Sequence, residues 1–507
     1  MKDDILKLAG SKFICGFDGL EVSDNLRSLI YDYHIGGVIL FTKNIASENQ
    51  VKHLTDEIKA EAEKAGYDQE IIIAIDQENG LVNRLSELDF YMPGSMSLGA
   101  ADNYDLAYEV GYRTAMKLNE LGINLNLAPV LDLNTNPNNP GVGTRSFSNN
   151  PNIAFKNASA FIKGHKDIGI LTTLKHFPGL GELSVDTHFD LPEVGKSLDE
   201  LEKREIVPFE KLIKQNGTGL MTAHVRFPNI DSSNLPTTMS KKILTDLLRK
   251  SLGYNGVIIT DCLEMHAISK NYGVSKGAKM SFLAGADIAI VSHTYSEQIN
   301  AIKAVAIAME NGEINNSLVR EQIDRIKNFK SEISRKIKTD YVNKFSTKEM
   351  YEKSVTILKY DQKISNELIY LVPYDERRSV GENKKDNRVQ IFKKYIIDNF
   401  EKPEIYEYTP DNFKEKLNEL LNGDKKEIVI GTLDNKKIDI GSEFILKNKN
   451  VHVISLRDPY PNRDLFEMCK TWIDTYDLSY DSIDVAFDSL FNKSNPSGKL
   501  PVHLHFR

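Results

Sequence analysis

Cysteine is almost missing from this 507-residue chain: Cys15, Cys262 and Cys469 stand far apart and odd in number. They build neither a disulfide framework nor a zinc-knuckle spacing. Tryptophan occurs once, as Trp472, so any aromatic platform earlier in the chain must be Phe or Tyr. No stretch approaches the roughly 18 apolar residues of a membrane span. Neither sign of charge dominates: 64 Lys and Arg face 72 Asp and Glu, a net charge of −8. That mild acidity argues against nucleic acid or an anionic membrane as the main partner. No GxGxxG follows the first apolar run, which removes the dinucleotide-binding fingerprint. The opening MKDDILKLAGSKF carries acids where a signal peptide has an apolar core. A soluble, cytoplasmic protein acting on a small molecule is the expectation, and the sequence carries no sign of oligomeric state.

What is present is a repeat. Short apolar runs end in a polar residue and give way to longer amphipathic stretches. The runs are Phe13 to Phe17, Gly37 to Phe41, Ile71 to Ile75, Ile123 to Val130, Leu171 to Leu174, Gly219 to Ala223, Val257 to Thr260 and Asp287 to Val291. Helical intervals such as Glu48 to Ala65 and Asp105 to Leu121 separate most of them. Continuous apolar strands alternating with helices predict a parallel sheet covered on both faces, and eight of them predict a closed (β/α)8 barrel. The pattern restarts near Glu367, with strands over Leu368 to Val372, Glu427 to Gly431 and Val451 to Leu456. The expected organisation is an α/β chain with a TIM-like barrel over residues 1–335, a link over 336–360, and a smaller α/β sandwich over 361–507.

The residues that end the runs are informative. Asp18, Asp76, Asp132, Lys175-His176, His224, Asp261 and Ser292-His293 follow runs one and three to eight. In a barrel these ends share the rim where active sites lie. Leaving the core requires a polar residue at one or two strand ends; a rim of several acids and histidines exceeds that need. After the run ending at Leu174, Gly179 and Gly181 free the backbone for a loop that presents Asp186, Thr187 and His188. Residues i and i+2 point the same way in extended chain, so Asp186 can hold the His188 imidazole in one tautomer. Asp261 has two readings from its surroundings: a helix N-cap, or a nucleophile facing a separate proton donor.

Four blocks together resemble glycoside hydrolase family 3, its β-N-acetylglucosaminidase branch in particular. They are DQENG (Asp76 to Gly80), GTRSFSNNP (Gly143 to Pro151), KHFPGLGELSVDTH (Lys175 to His188) and GVIITDCLEM (Gly256 to Met265). SLRDPY and NPSGKLPV extend the resemblance past residue 450. It implies a retaining exo-β-N-acetylhexosaminidase acting on small glycosides such as cell-wall fragments. Asp261 then matches the nucleophile, His188 the acid/base and Asp186 its orienting partner. Asp76, Arg84, Arg145, Lys175 and His176 match substrate contacts. Neither cofactor nor metal is implied; the rim histidines His176, His188 and His224 lack a short i, i+4 pairing. Arg84 and Arg145 also admit a structural reading, as an ion pair inside the rim. Phosphorolysis in place of hydrolysis, a β-glucosidase of the same family, a lyase using Lys175 as a Schiff-base amine and a catalytically silent sugar-binding barrel are the alternatives. The sequence departs from the family's usual pattern at Asn79, Leu81, Leu180 and Glu182, which bears on loop conformation and substrate fit.

Overall fold

The computed structural model describes residues 3–184, 191–214, 218–333, 341–360, 364–365, 367–374, 389–422, 426–438, 440 and 450–506. Eight parallel strands close into a barrel: β1 (Phe13–Gly16), β2 (Gly37–Leu40), β3 (Ile72–Ile75), β4 (Leu125–Asn126), β5 (Leu171–Phe177), β6 (Thr218–Thr222), β7 (Ile258–Cys262) and β8 (Ile288–Val291), in that order around the ring, with β1 paired to β8. The expected runs are all present. Alternate residues divide between two cores, as the period-two geometry of a strand requires. Ile14, Ile39, Ile72 and Ala74 face the barrel interior. Phe13, Cys15, Val38, Leu40, Ile73 and Ile75 face the surrounding helices. Phe329, from the helix Asn316–Lys330, joins the interior cluster.

Two strands depart from the expected bounds. The fourth run was expected as a continuous strand over 123–130, but its regular ladder is two residues long. Pro129 has no N–H to give the sheet, so pairing with β5 resumes only as a bridge from Val130 to Lys175. The fifth runs on past Leu174 to Phe177, so Lys175 and His176 lie within the strand rather than in the loop after it.

The second unit is a six-stranded sheet of β9 (Thr356–Lys359), β10 (Leu368–Pro373), β11 (Glu404–Tyr408), β12 (Glu427–Thr432), β13 (Val451–Ser455) and β14 (Thr471–Asp474). Its order is β11-β10-β12-β13-β14-β9, parallel except for the antiparallel edge strand β9. Apolar clusters cover both faces: Tyr370, Val429 and Ile454 on one, Leu371, Ile430 and Val453 on the other. Strand β9 and the helix Thr347–Ser354 fall inside the segment expected as a link, and β9 belongs to this second sheet.

Among the described residues, two contacts between the units stand out. Buried Glu109, on the helix Tyr104–Glu120, accepts hydrogen bonds from Tyr341 Oη and from the Lys344 and Phe345 amides. At the other, Tyr460, Tyr476 and Val502 pack on Met96 and Ala100 of the helix Ser95–Ala101. There the chain's end runs back across the barrel: Lys499 N donates to Ala100 O at 3.0 Å, and Ser148 Oγ donates to Pro501 O.

Candidate active site

The rim residues fall into three groups. The first spans β3, β4 and β5. Lys175 Nζ lies 2.7 Å from Asp76 Oδ1 and 2.7 Å from Glu78 Oε1. Arg145 clamps Glu78 with two parallel bonds, Nε to Oε2 and Nη2 to Oε1, each 2.8 Å, and gives Nη1 to Gly141 O at 2.9 Å. All four side chains are largely out of solvent: 2% exposed for Lys175, 3% for Glu78, 14% for Arg145 and 18% for Asp76. Burial alone would neutralise such groups. Burial opposes the Lys175 charge, yet the Asp76 and Glu78 carboxylates outweigh it and hold its pKa above the ordinary lysine value. Burial likewise opposes the Glu78 charge, and Arg145 and Lys175 outweigh it and hold the carboxyl far below the usual range. Two carboxylates against two cations make a self-neutralised array that presents fixed donors and acceptors, the kind of surface sugar hydroxyls meet well.

The same geometry removes Lys175 from Schiff-base chemistry, which needs a neutral amine. An amine flanked by two carboxylates at 2.7 Å is held as an ammonium.

His176 belongs to a second pairing. Its Nδ1 sits 2.6 Å from Asp132 Oδ2, while Asp132 Oδ1 accepts the Leu180 amide at 2.7 Å. One carboxylate therefore fixes both the imidazole and the turn after it. The Lys175–His176 and Phe177–Pro178 peptides are cis.

The third group surrounds Asp261, half-buried near the end of β7, whose Oδ1 accepts the Cys262 amide at 2.7 Å. Its backbone neighbour is pinned from the side: His224 Nε2 donates to Cys262 O at 2.9 Å, and His224 Nδ1 lies 2.7 Å from Thr238 Oγ1. Both ring nitrogens of His224 are thus engaged with the protein. Glu264 ties the same turn to the end of β8 by accepting the His293 and Thr294 amides at 2.6 and 2.9 Å. Among the described residues no cluster of three or more His, Cys, Asp or Glu is arranged to hold a metal ion.

Of the expected site residues, Asp76, Arg145 and Lys175 come together in one array. Arg84 is buried nearby, its guanidinium 5.7 Å from the centre of the Phe41 ring and its amide bonded to Gln77 Oε1. Asp186 and His188 lie outside the described residues, so their relation to Asp261 is not described. The reading of Arg145 as part of a rim ion pair holds, its partner being Glu78. Glu78 is the group that residue-by-residue reading missed. It stands inside DQENG, two positions after Asp76, but only the fold brings Arg145 and Lys175 to it. Asp132 was visible as a strand-end acid, while its role as the anchor of His176 was not.

The departures in the loops have local explanations. Asn79 adopts a left-handed backbone (φ 65°), which Asn tolerates better than most residues, and its amide joins Gln77 and Thr114. Leu180 is buried in the main core. Glu182 accepts Thr135 Oγ1 at 3.0 Å and pairs with Lys196 at 2.9 Å.

A model of the "Glycosyl hydrolase family 3 N terminal domain" matches residues 5–329. The chain belongs to glycosyl hydrolase family 3. Within the family it is 36% identical over 331 residues to Beta-hexosaminidase A of Pseudoalteromonas piscicida, covering 61% of this chain and 55% of that protein's length. It is 37% identical over 278 residues to a Beta-hexosaminidase of Neisseria meningitidis serogroup C, covering 54% and 75% respectively. The solved structure of a glycoside hydrolase family 3 beta-N-acetylglucosaminidase from Paenibacillus sp. overlays 99% of both chains, with a TM-score of 0.88 and 30% identity. A Beta-glucoside phosphorylase shares the fold at a TM-score of 0.78 and 22% identity. The family 3 assignment agrees with a barrel followed by a second α/β unit.

Proposed function

We propose that this family 3 protein is a retaining exo-β-N-acetylhexosaminidase, releasing terminal N-acetylglucosamine from small glycosides such as cell-wall muropeptide fragments in the cytoplasm. The observation that carries the reading is the buried Asp76–Lys175–Glu78–Arg145 array on the same rim as the carboxylate of Asp261. Asp76, Lys175 and Arg145, with His176 and Arg84, grip the hydroxyls of the terminal sugar. An Asp261 oxygen attacks the anomeric carbon, and the C–O bond to the leaving group breaks as His188 protonates the departing oxygen. Asp186 orients that imidazole and stabilises its charged form. The resulting glycosyl-Asp ester is cleaved when His188, now neutral, takes a proton from water attacking the same carbon. An imidazole suits the two-way role because its reference pKa lies near 6.5, and it is uncharged when it must accept. No step calls for a metal or cofactor.

Phosphate replaces water in the last step without changing the first, so one assay separates the readings within the family. Turnover of an N-acetyl-β-glucosaminide and of a plain β-glucoside is measured, each with and without phosphate. Release of N-acetylglucosamine from the first alone, independent of phosphate, is the expected result. A sugar 1-phosphate product would replace hydrolysis by phosphorolysis, and preference for the glucoside would overturn the substrate assignment.

A further inference from the structure

The loop that carries Arg145 is held from two sides, and one of them belongs to the second unit. Within the barrel the brace is buried Asn134. Its backbone N–H donates to Ser146 Oγ at 3.1 Å and to Ser148 O at 3.2 Å, and its Nδ2 donates to Gly143 O at 3.3 Å. The helix Ser95–Ala101 presses on the same loop at Gly99, where a Cβ would lie 1.7 Å from Phe147 O. Only glycine lets the two backbones come so close.

The other hold is a finger of the second unit, residues 499–502. Both of its ends are tied to that unit. Before it, Ser497 N donates to Glu352 O at 2.8 Å, and a Cβ at Gly498 would lie 2.0 Å from Ser354 O. After it, the His505 ring meets Tyr460 edge-on at 6.4 Å, and the Phe506 ring lies 5.2 Å from Phe466. Between these ties the chain reaches the barrel. Lys499 N donates to Ala100 O at 3.0 Å, and Val502 packs on Met96 and Ala100. Ser148, fully buried, donates its hydroxyl to Pro501 O. The same oxygen accepts the Asn150 amide at 2.9 Å, at the cap of the helix Pro151–Ile168. Ser148 stands three residues after Arg145 and links the finger to the loop in a place without water, where an unmade hydrogen bond is costly. Arg145 itself bonds Glu78 and Gly141, so the finger reaches it through the loop rather than at the guanidinium.

We propose that this finger sets the position of Arg145 through Ser148, which makes Ser148 a positioning residue for sugar binding and gives the second unit a part in substrate affinity. The role rests on the glycosidase reading, in which Arg145 grips the terminal sugar throughout the reaction. A grip made equally in the ground state and the transition state acts on KM and not on kcat. Plain destabilisation does the reverse: it removes active molecules, lowering the apparent kcat and leaving KM unchanged.

Steady-state turnover of a chromogenic N-acetyl-β-glucosaminide by the full chain, with N-acetylglucosamine as competing product, tests the role. Ser148→Ala should raise KM and the product's inhibition constant together about tenfold, with kcat within about twofold of wild type. Val502→Ala loosens the finger and leaves Ser148 in place; it should raise both constants about threefold, again with kcat held. The two effects should not multiply, because the finger is released only once: the double variant keeps the constants of Ser148→Ala. Should Ser148→Ala fail to fold, Val502→Ala decides by the same split. Constants equal to wild type in both variants, or a lower kcat at constant KM, overturn the positioning role and leave the glycosidase reading standing. Effects that multiply in the double variant place the Ser148 contribution in the Asn150 turn and overturn the finger's part. A wild type that releases no leaving group overturns the glycosidase reading and the positioning role with it.

Discussion

Glu78→Gln is the sharpest test of the buried array. The substitution keeps the volume and removes the charge. Glu78 now serves three donors, Lys175 Nζ and Arg145 Nε and Nη2. A Gln amide offers one acceptor and turns an NH2 toward the remaining donors, so at least one donor faces another. Breaking one partner out of a buried ion pair costs about 3–5 kcal/mol. Lys175 keeps Asp76, and Arg145 at 14% exposure regains some water, which places the cost near the lower figure, about 3 kcal/mol. Unfolding entropy of about 2.1 cal/mol/K per residue gives a barrel of roughly 330 residues about 0.7 kcal/mol/K, so Tm should fall by about 4–5 °C. Release of the two cations from their fixed positions should lower kcat/KM about 100-fold. The pH dependence adds a sign. Because the folded Glu78 carboxyl is held far below the usual range, its stabilisation is complete above the unfolded value of about 4.3 and declines as pH falls below it. The Tm gap between wild type and variant should therefore stay constant from about pH 8 to about pH 5 and shrink in more acid solution. A variant with Tm within about 1 °C of wild type and unchanged kcat/KM would refute the array as a structural and binding unit.

Three further outcomes are expected. Asp261→Asn should cut release of a chromogenic leaving group at least about 1000-fold, and full activity would remove Asp261 from the mechanism. His188→Ala should slow glycosides with poor leaving groups about 1000-fold but activated aryl glycosides about tenfold, since only the former need protonation; equal losses would count against the acid role. Lys12→Met concerns the barrel floor, where burial lowers the Lys12 pKa to about 7 despite Asp287 nearby and a Phe282 ring 4.1 Å away. Below that value the folded state carries the full cost of a buried cation, and stability rises as pH climbs from there toward the unfolded value of about 10.4. The Met variant should be more stable than wild type by up to about 4 kcal/mol near pH 6, with the gap closing by pH 9–10; a pH-independent gap would place the effect in packing instead.

The barrel was legible because its strands are buried on both faces and so read as unbroken apolar runs. Parts of the second sheet were not. Strand β11 is EIYEY, whose apolar run is broken by Glu404 and Glu407, and only Tyr408 of it is fully buried. Strand β14, TWID, ends in an aspartate that looks like a turn but is buried, with Trp472 donating to it at 2.8 Å. In the site, the strand-end rule found Asp76, Lys175, His176 and Asp261, because polarity at the end of an apolar run is a local signal. Glu78 and the anchoring role of Asp132 depend on partners 67, 97 and 44 positions away. Such pairings carry no local signature, and a single sequence holds no periodicity that would expose them. His224 was read as a rim group by the same rule; its hydrogen bond to the Cys262 carbonyl makes it a brace for the strand that carries Asp261.

Register shifts in β5 and β7 explain why those particular strand ends serve the site. Between Leu174 and Phe177 three steps of β5 are matched by two of β6, and between Ile259 and Cys262 three steps of β7 are matched by two of β8. Each is one extra residue in a parallel ladder, which turns the chain locally and re-aims a side chain that strict alternation would direct elsewhere. The first extra residue falls at Lys175-His176 and the second at Thr260-Asp261. The other strand pairings hold a regular register, apart from the segment after β4, where four steps from Asn126 to Val130 are matched by three from Thr172 to Lys175. A straight β5 would send Lys175 and His176 to opposite faces, one into the barrel and one toward the helices. The bulge instead allows Lys175 to meet Asp76 and Glu78 while His176 meets Asp132. Both bulges are braced by neighbours rather than by their own ladder: Asp132 holds the turn after β5, and His224 holds the Cys262 carbonyl. Asp132→Asn and His224→Ala should accordingly lower kcat/KM without touching substrate. If either leaves activity and Tm as in wild type, the braces are incidental and the bulges are fixed by packing alone.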